Sequence, residues 1–404
     1  MAQAGADEML REGAARHARG DLAGAEALYH AVLKLRAQDA NALNLLGVLA
    51  RQRGDLAAAL EFGGRATALR PEAAAFRANL GAALAEAGRL AEAVAEFRAA
   101  LARRPGDAVT LRNLGQALCA MGDPASALAP LGHAVALRPE AAAAWLALAH
   151  ARRETGDAAG AGQAAEAALS RAGPDAGLAV QARFLLATLG REAPPDRAPA
   201  RYVRDLFDQY APRFEADLTG RLAYRTPEAL AALLREAGVA PAEGRLGVLD
   251  LGCGTGLSGA ALAPFAARLE GLDLSPRMLA EAGKRGVYAA LHEADLLDWL
   301  PRHPGAFDLI AAADVLNYLG DLAPAFAAIA TALAPGGLAA FSVEAGEAGT
   351  PYALEEGMRF RHDPEHVAAL ARAAGFEEVT RRGTTLREER GAAVAGVLFV
   401  LRRG

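Results

Sequence analysis

Between residues 248 and 259 the chain reads Val-Leu-Asp-Leu-Gly-Cys-Gly-Thr-Gly-Leu-Ser-Gly, with an apolar run from Leu246 to Leu251 before it and Ala260-Ala261-Leu262 after it. An apolar run that breaks into four glycines within eight residues and then resumes is the pattern of a buried strand turning tightly into a helix. Glycines there let the backbone approach a ligand. Gly254 to Gly259 also satisfies the G-x-G-x-x-G spacing of dinucleotide sites. Asp250 decides against that reading, because a carboxylate two residues before the first glycine repels a pyrophosphate seated on the helix N-terminus and welcomes a cation. A second acid, Asp273, follows 21 residues after Gly252, where a carboxylate can accept both hydroxyls of a ribose with Leu274 and Met278 against the base. An NAD site uses the same acid, so Asp273 does not discriminate.

The elements that must position these groups alternate strand and helix from Leu246 onward, as a doubly wound parallel sheet requires. The predicted strands are 246–251, 268–272, 289–294, 307–313 and 338–344, the last entered through the turn Pro335-Gly336-Gly337. Asp273, Asp295 and Asp314 fall at the exits of the second, third and fourth, and acids at successive strand C-termini mark the edge where open α/β sheets bind ligands. A helix over 364–374 precedes two late strands, 376–381 and 394–402, that pair as an antiparallel hairpin and bring the sheet to seven strands. Upstream, Tyr202, Leu206, Phe207, Tyr210 and Phe214 share one helical face, and Thr226-Pro227 reads as an N-cap and first helical position.

S-adenosylmethionine offers an ammonium and a sulfonium and carries no phosphate, and the stretch 248–259 resembles the first motif of the class I, Rossmann-like S-adenosylmethionine-dependent methyltransferases. The resemblance implies a cofactor site built from Asp250, Gly252, Gly254, Gly256, Asp273, Leu274, Met278 and Asp314. It also implies that Asp295 accepts from the adenine amino group while the Leu296 amide faces the ring. Phe207-Asp208-Gln209-Tyr210-Ala211-Pro212-Arg213-Phe214-Glu215 resembles a segment that closes over the cofactor in many small-molecule methyltransferases, with Glu215 where Asp is usual. Phe207, Tyr210 and Phe214 are then lid residues; the alternative is a helix packed on the core.

A sulfonium methyl is already activated, so the protein mainly has to hold a nucleophile in line in a dry pocket. If the acceptor must lose a proton, the candidates are Tyr210, Asp314, Tyr318, Glu344, Tyr352 and His362. His362 and His366 are separated by Pro364 and lack a third ligand, so no metal is expected. Arg359-Phe360-Arg361-His362 is either a contact for an anionic acceptor or a solvated basic turn, Arg225 either meets the methionine carboxylate or lies on the surface, and Cys253 is a small packing residue.

The first half is a different object. Gly20, Gly54, Gly88, Gly122 and Gly156 recur every 34 residues, each followed by Asp or Arg, and Gly13, Gly47, Gly81 and Gly115 recur in the same register. Turn glycines can end one helix in the left-handed conformation and Asp21, Asp55, Asp123 and Asp157 can cap the next. A mid-helix glycine costs about 1 kcal/mol against alanine, so its return at one phase predicts close helix contact. The pattern resembles the tetratricopeptide repeat, which implies five helix pairs over residues 6–173 and a capping helix over 178–189, stacked as an α-solenoid. The array is expected to hold a protein partner in its groove, or to act as a spacer or self-association module.

The domains expected are therefore repeats at 1–190, a proline-rich linker at 191–200 and a methyltransferase domain at 201–404, an order similar to bacterial methyltransferases that carry tetratricopeptide repeats. Residues 1–190 hold 20 Lys/Arg against 19 Asp/Glu and the remainder 23 against 29, so nucleic acid is not an expected partner. Cys119 and Cys253 show no pairing or metal spacing, and no apolar stretch has the length of a signal or a membrane span, which suits a cytoplasmic protein. The function expected is methyl transfer from S-adenosylmethionine to an unidentified small-molecule or protein acceptor. The alternative is a non-catalytic adaptor in which the cofactor fold is structural.

Overall fold

A computed structural model describes residues 2–211, 214–216, 224–238, 244–389 and 391–404. Two compact units divide at Ala182/Arg183. The division falls within a helix, where the sequence reading placed it at residue 190.

In the first unit five helix pairs follow one another: α1 (Ala2–Ala18) with α2 (Leu22–Leu35), α3 (Ala40–Gln52) with α4 (Leu56–Leu69), α5 (Ala74–Glu86) with α6 (Leu90–Arg103), α7 (Ala108–Ala120) with α8 (Pro124–Leu137), and α9 (Ala142–Glu154) with α10 (Ala158–Arg171). Then comes α11 (Ala176–Thr188). All five turn glycines take φ between +76° and +84°, and Asp21, Asp55, Asp123 and Asp157 each accept the amide three residues on at 2.8–3.1 Å. The mid-helix glycines sit against the facing helix: a Cβ on Gly13 would lie 2.6 Å from the Tyr29 ring, on Gly81 2.8 Å from Phe97, and on Gly115 2.4 Å from Leu131. Where the facing residue is itself Gly63, the Cβ of Gly47 would meet its backbone nitrogen at 3.1 Å.

The second unit carries one mixed sheet of β1 (Leu246–Leu251), β2 (Ala266–Asp273), β3 (Ala290–Glu293), β4 (Phe307–Ala312), β5 (Leu333–Ala345), β6 (Tyr352–Leu354), β7 (Phe360–His362), β8 (Phe376–Glu389) and β9 (Ala392–Arg403). The parallel core runs β3-β2-β1-β4-β5, and β9 lies antiparallel to both β5 and β8. The seven expected strands are all present, and β6 and β7 are additional. Glu344 pairs with Gly396 of β9 and with Arg361 of β7, so β7 lies on the other edge of β5, beyond the end of β4. Strands of three residues between Pro351 and Asp363 are too short to show a period in sequence.

The helices are α12 (Ala200–Tyr210), α13 (Phe214–Ala216), α14 (Thr226–Glu236), α15 (Leu257–Leu262), α16 (Pro276–Gly283), α17 (Leu296–Trp299), α18 (Ala323–Ala332) and α19 (Pro364–Ala373). Strand alternation sends Leu249, Ile310 and Phe341 into one core with Phe326 of α18 and Val367 of α19. Val248, Leu309 and Ala340 enter the opposite core with Leu234 of α14 and Leu262 of α15. Both faces are covered, as a parallel sheet requires. Among the described residues no helix is long and apolar enough to cross a membrane.

The repeat packing predicts opposite outcomes for two glycines. Gly81→Ala drives a methyl into the buried Phe97 ring and should destabilise the chain by about 1–3 kcal/mol. At Gly64 of α4 a Cβ meets nothing within 4 Å, so Gly64→Ala should stabilise by about 0.5–1 kcal/mol. Denaturant unfolding of the two variants measures both, and changes of the same sign would contradict the packing.

Candidate active site

Four acids stand at the C-terminal ends of β1 to β4, and each is supplied with donors in its own way. Asp273 closes β2; its Oδ2 accepts the Gly254 amide at 2.9 Å and its Oδ1 the Ser275 amide at 2.8 Å. Burial raises its carboxyl above the usual value, opposed by those two amides. Asp295 follows β3 and caps α17 through the Leu297 amide at 3.0 Å, while Arg197 pairs with its carboxylate. Asp314 follows β4 in the left-handed region at φ +57°, a strained conformation for a residue with a side chain. The Ser342 hydroxyl donates to Asp314 Oδ1 at 2.7 Å, and Arg387 lies 3.6 Å from Oδ2. Burial raises the Asp314 carboxyl as well, with Arg387 opposing.

The turn after β1 needs its glycines for two reasons. Gly252 takes φ +65°, and a Cβ there would also strike Val315 at 2.4 Å. Gly254 takes φ +53° with the Phe214 ring 3.6 Å from where its Cβ would be, so bare backbone faces the aromatic segment.

That segment is half-buried. Phe207 meets Phe214 edge-on at 6.0 Å and Tyr318 at 5.6 Å, and Tyr210 meets Phe214 at 5.4 Å. Polar ties hold it: the Ser275 hydroxyl donates to Asp208 at 2.6 Å, and Arg285 bridges Glu215 at 2.6 Å and the Thr255 carbonyl at 2.7 Å.

One cavity of about 210 Å³ gathers these groups along the strand ends. Gly252, Gly254, Asp273, Leu274, Asp295, Leu296 and Asp314 line it together with Phe207, Tyr210, Phe214 and Tyr318. Asp250, Gly256 and Met278 do not. Asp250 is fully buried beneath the turn, where the Tyr288 hydroxyl donates to its Oδ2 at 2.6 Å and, among the described residues, its Oδ1 has no hydrogen-bond partner. Gly256 serves as the left-handed cap of α15, and Met278 is in the core.

Three base candidates also lie off the cavity. Burial would raise Glu344, but Arg387 and Arg359 hold it below its usual value, with Arg359 Nε at 2.8 Å. His362 Nε2 donates to the Leu319 and Gly320 carbonyls at 2.9 and 3.1 Å, so the ring is turned to the backbone, and burial lowers its pKa. Tyr352 donates to Asp196 at 3.2 Å.

Arg359 and Arg387 line the cavity, as do Arg197, Tyr224 and Asn317, which sequence reasoning did not single out. Arg197 belongs to the segment taken for a free linker. Its neighbours are docked instead: the Ala198 amide donates to the Tyr318 carbonyl at 2.8 Å and the Gly320 amide to the Asp196 carbonyl at 2.8 Å. Arg225 is exposed and is the N-cap of α14, without a side-chain cap bond. Thr226, expected as that cap, is buried inside the helix and its hydroxyl reaches Asp314 Oδ2 at 3.4 Å.

This donor set suits a ligand with a diol, an amino-bearing ring and a cationic centre: acceptors at three strand ends, bare backbone between them, and a lining rich in aromatic side chains.

Burial raises the Asp250 carboxyl to about 7, against the Tyr288 hydrogen bond. The folded state then binds a proton that the unfolded state has released, so Asp250 withdraws stability as pH rises from about 4 to 7 and adds no further change above it. Asp250→Asn should remove that dependence, its stability difference from the parent growing with pH at no more than about 1.4 kcal/mol per unit. Urea titrations of ligand-free protein at pH 5, 6, 7 and 8 measure it, and a difference independent of pH would refute it.

Residues 248–337 match a family described as Methyltransferase domain, and residues 10–68, 71–140 and 112–177 match tetratricopeptide repeat families. A "Ubiquinone biosynthesis O-methyltransferase" of Thiobacillus denitrificans is 33% identical over 159 residues, 34% of this chain and 67% of the relative. The protein so named in Ralstonia nicotianae is 32% identical over 154 residues, 34% of this chain and 65% of the relative. The chain thus spans about two thirds of the length of these relatives. Among solved structures, an S-adenosylmethionine dependent methyltransferase from Mesorhizobium loti is 25% identical with a TM-score of 0.35, covering 43% of this chain and 98% of its own. The similarity follows the sheet and glycine turn in the second unit and the helix pairs in the first, and the chain belongs to the class I S-adenosylmethionine-dependent methyltransferases, with tetratricopeptide repeats ahead of the methyltransferase domain.

Proposed function

We propose that the second unit holds S-adenosylmethionine along the ends of β1, β2 and β3 and methylates an oxygen of a small, largely apolar acceptor beside the end of β4, while the repeats bind a protein partner. The observation that carries the reading is that one cavity joins both groups: Asp273 and Asp295 line it on the β2–β3 side, and Asp314, Tyr318 and Arg387 on the β4–β8 side. In this reading Asp273 accepts the ribose hydroxyls, Asp295 the adenine amine, and Phe207, Tyr210 and Phe214 exclude water over the glycine turn. Bound there, the donor supplies an activated sulfonium methyl.

On the acceptor side Asp314 is the carboxylate that lines the cavity, and in this reading it takes the proton the acceptor hydroxyl loses as the methyl leaves sulfur. Burial raises the phenols of Tyr318 and Tyr224, which keeps both protonated near neutrality and makes them donors to an acceptor oxygen. Relatives named for O-methylation support oxygen as the methylated atom. The unpaired thiols of Cys119 and Cys253 support a reducing, cytoplasmic setting.

Calorimetric titration with S-adenosylmethionine and S-adenosylhomocysteine, with NAD as control, tests the site. Both sulfur ligands should bind saturably and NAD should not. Asp273→Ala should weaken both by roughly tenfold or more, the loss of charge-assisted bonds to a diol. Absence of binding would sink the reading.

A further inference from the structure

Arg197 stands where a linker was expected, and its position is built from both sides. On the backbone side, Asp196 accepts the Gly320 and Asp321 amides at 2.8 and 3.0 Å, Ala198 donates to the Tyr318 carbonyl at 2.8 Å, and Arg197 itself bridges Leu319. Tyr352 adds a bond from its hydroxyl to the Asp196 carboxylate at 3.2 Å. On the side-chain side, Arg197 Nη1 lies 3.4 Å from Asp295 Oδ1 and Nη2 donates to Oδ2, a two-pronged grip on one carboxylate. The Leu297 amide takes a further site on Oδ1 at 3.0 Å. Arg197 and Asp295 both line the cavity.

We propose that Arg197 is a positioning residue for the purine of the methyl donor: it clamps Asp295 so that the one acceptor position left free on that carboxylate faces the ring's 6-position. The inference rests on reading this cavity as the donor site. A carboxylate offers about four acceptor positions. Two go to the guanidinium and one to the Leu297 amide, which leaves one toward the cavity and, among the described residues, no donor for it. A purine with a 6-amino group gives that position a hydrogen, whereas a 6-oxo purine sets a carbonyl oxygen against a carboxylate. The clamp therefore reads amino against oxo. Without Arg197 the carboxylate keeps, among the described residues, only the helix-cap bond on Oδ1, and Oδ2 loses its tether, so the reading is lost while the rest of the ligand still binds.

The full chain is titrated calorimetrically with S-adenosylhomocysteine and with S-inosylhomocysteine, its 6-oxo counterpart. The parent should favour the adenosyl ligand by roughly tenfold or more. Arg197→Ala should cut that ratio to under about threefold by weakening the adenosyl ligand alone, and Arg197→Lys, a point charge without the fork, should fall between. Asp295→Asn, which places a donor in the carboxylate's position, should move the preference toward the oxo ligand and serves if Arg197→Ala fails to fold. A parent that does not discriminate overturns the proposal. So does an Arg197→Ala protein that keeps the parental ratio, even with both affinities reduced, or that binds the adenosyl ligand more tightly. Failure of the parent to bind either ligand would instead refute the donor site itself.

Discussion

A carboxylate at the end of a buried parallel strand has lost its water and must be given donors, and the second unit is arranged around four such debts. Asp273 is met by backbone amides of the turn and of the segment beside it, so its position is as rigid as the main chain. Asp295 is met by a helix cap and by Arg197. Asp314 is met by Ser342 of β5 and Arg387 of β8, at the expense of a left-handed backbone of the kind that costs about 1–3 kcal/mol. Asp250 takes its side-chain hydrogen bond from Tyr288 on one oxygen, while the other has no partner among the described residues, and it is the one turned away from the cavity. The three acids supplied from more than one side keep an edge toward the ligand space.

The arginines behind Asp314 follow from the same constraint one layer further in. Arg387 is 7% exposed and Glu344 is 3% exposed, and removing two charges from water costs more than their attraction returns unless every remaining hydrogen-bonding position is filled. Here each ion has at least two partners: Glu344 takes Arg359 and Arg387, and Glu389 takes the same two arginines from the other side. The lattice joins β5, β8 and the residue before β7, so the late hairpin is fixed to the strand whose neighbour ends at the cavity. This arrangement removes Glu344 from proton transfer, although it occupies the strand end where a base is expected.

What was legible in the sequence divides by the distance over which a feature is specified. Each repeat is written within 34 residues, and its turn glycine, cap and mid-helix glycine are local demands of backbone and packing, so the array could be read without a fold. The glycine turn and the strand-exit acids are likewise local. Tyr288, Arg197 and Arg387 were missed because their partners lie 38, 98 and 43 residues away, and nothing near them in sequence distinguishes a clamp from a solvated side chain. The one trace of Tyr288 lies in the glycines that make room for it: a Cβ on Gly259 would come within 2.1 Å of its hydroxyl, and one on Gly271 within 3.0 Å of its ring. Such a trace identifies a missing volume and leaves its occupant unnamed. The linker failed for a related reason, since three prolines exclude a helix but do not exclude docking through main-chain bonds.

Glycine carries two distinct constraints in this chain, and separating them explains why one residue type marks both halves. The turn glycines Gly20, Gly54, Gly122 and Gly156 take positive φ with open space around them, so the demand is conformational. Gly13, Gly81 and Gly115 lie in regular helix, and the demand is the volume of Tyr29, Phe97 and Leu131 opposite. A facing residue of glycine, as at Gly63, brings the two helix backbones together in place of a side chain. Gly252 bears both demands, with φ +65° and Val315 2.4 Å from any Cβ, so neither a small side chain nor a relaxed neighbour rescues it. A residue doubly constrained at the end of β1 holds the turn to one backbone path, and that path is what brings the Gly254 amide to Asp273 and leaves bare backbone along the cavity wall.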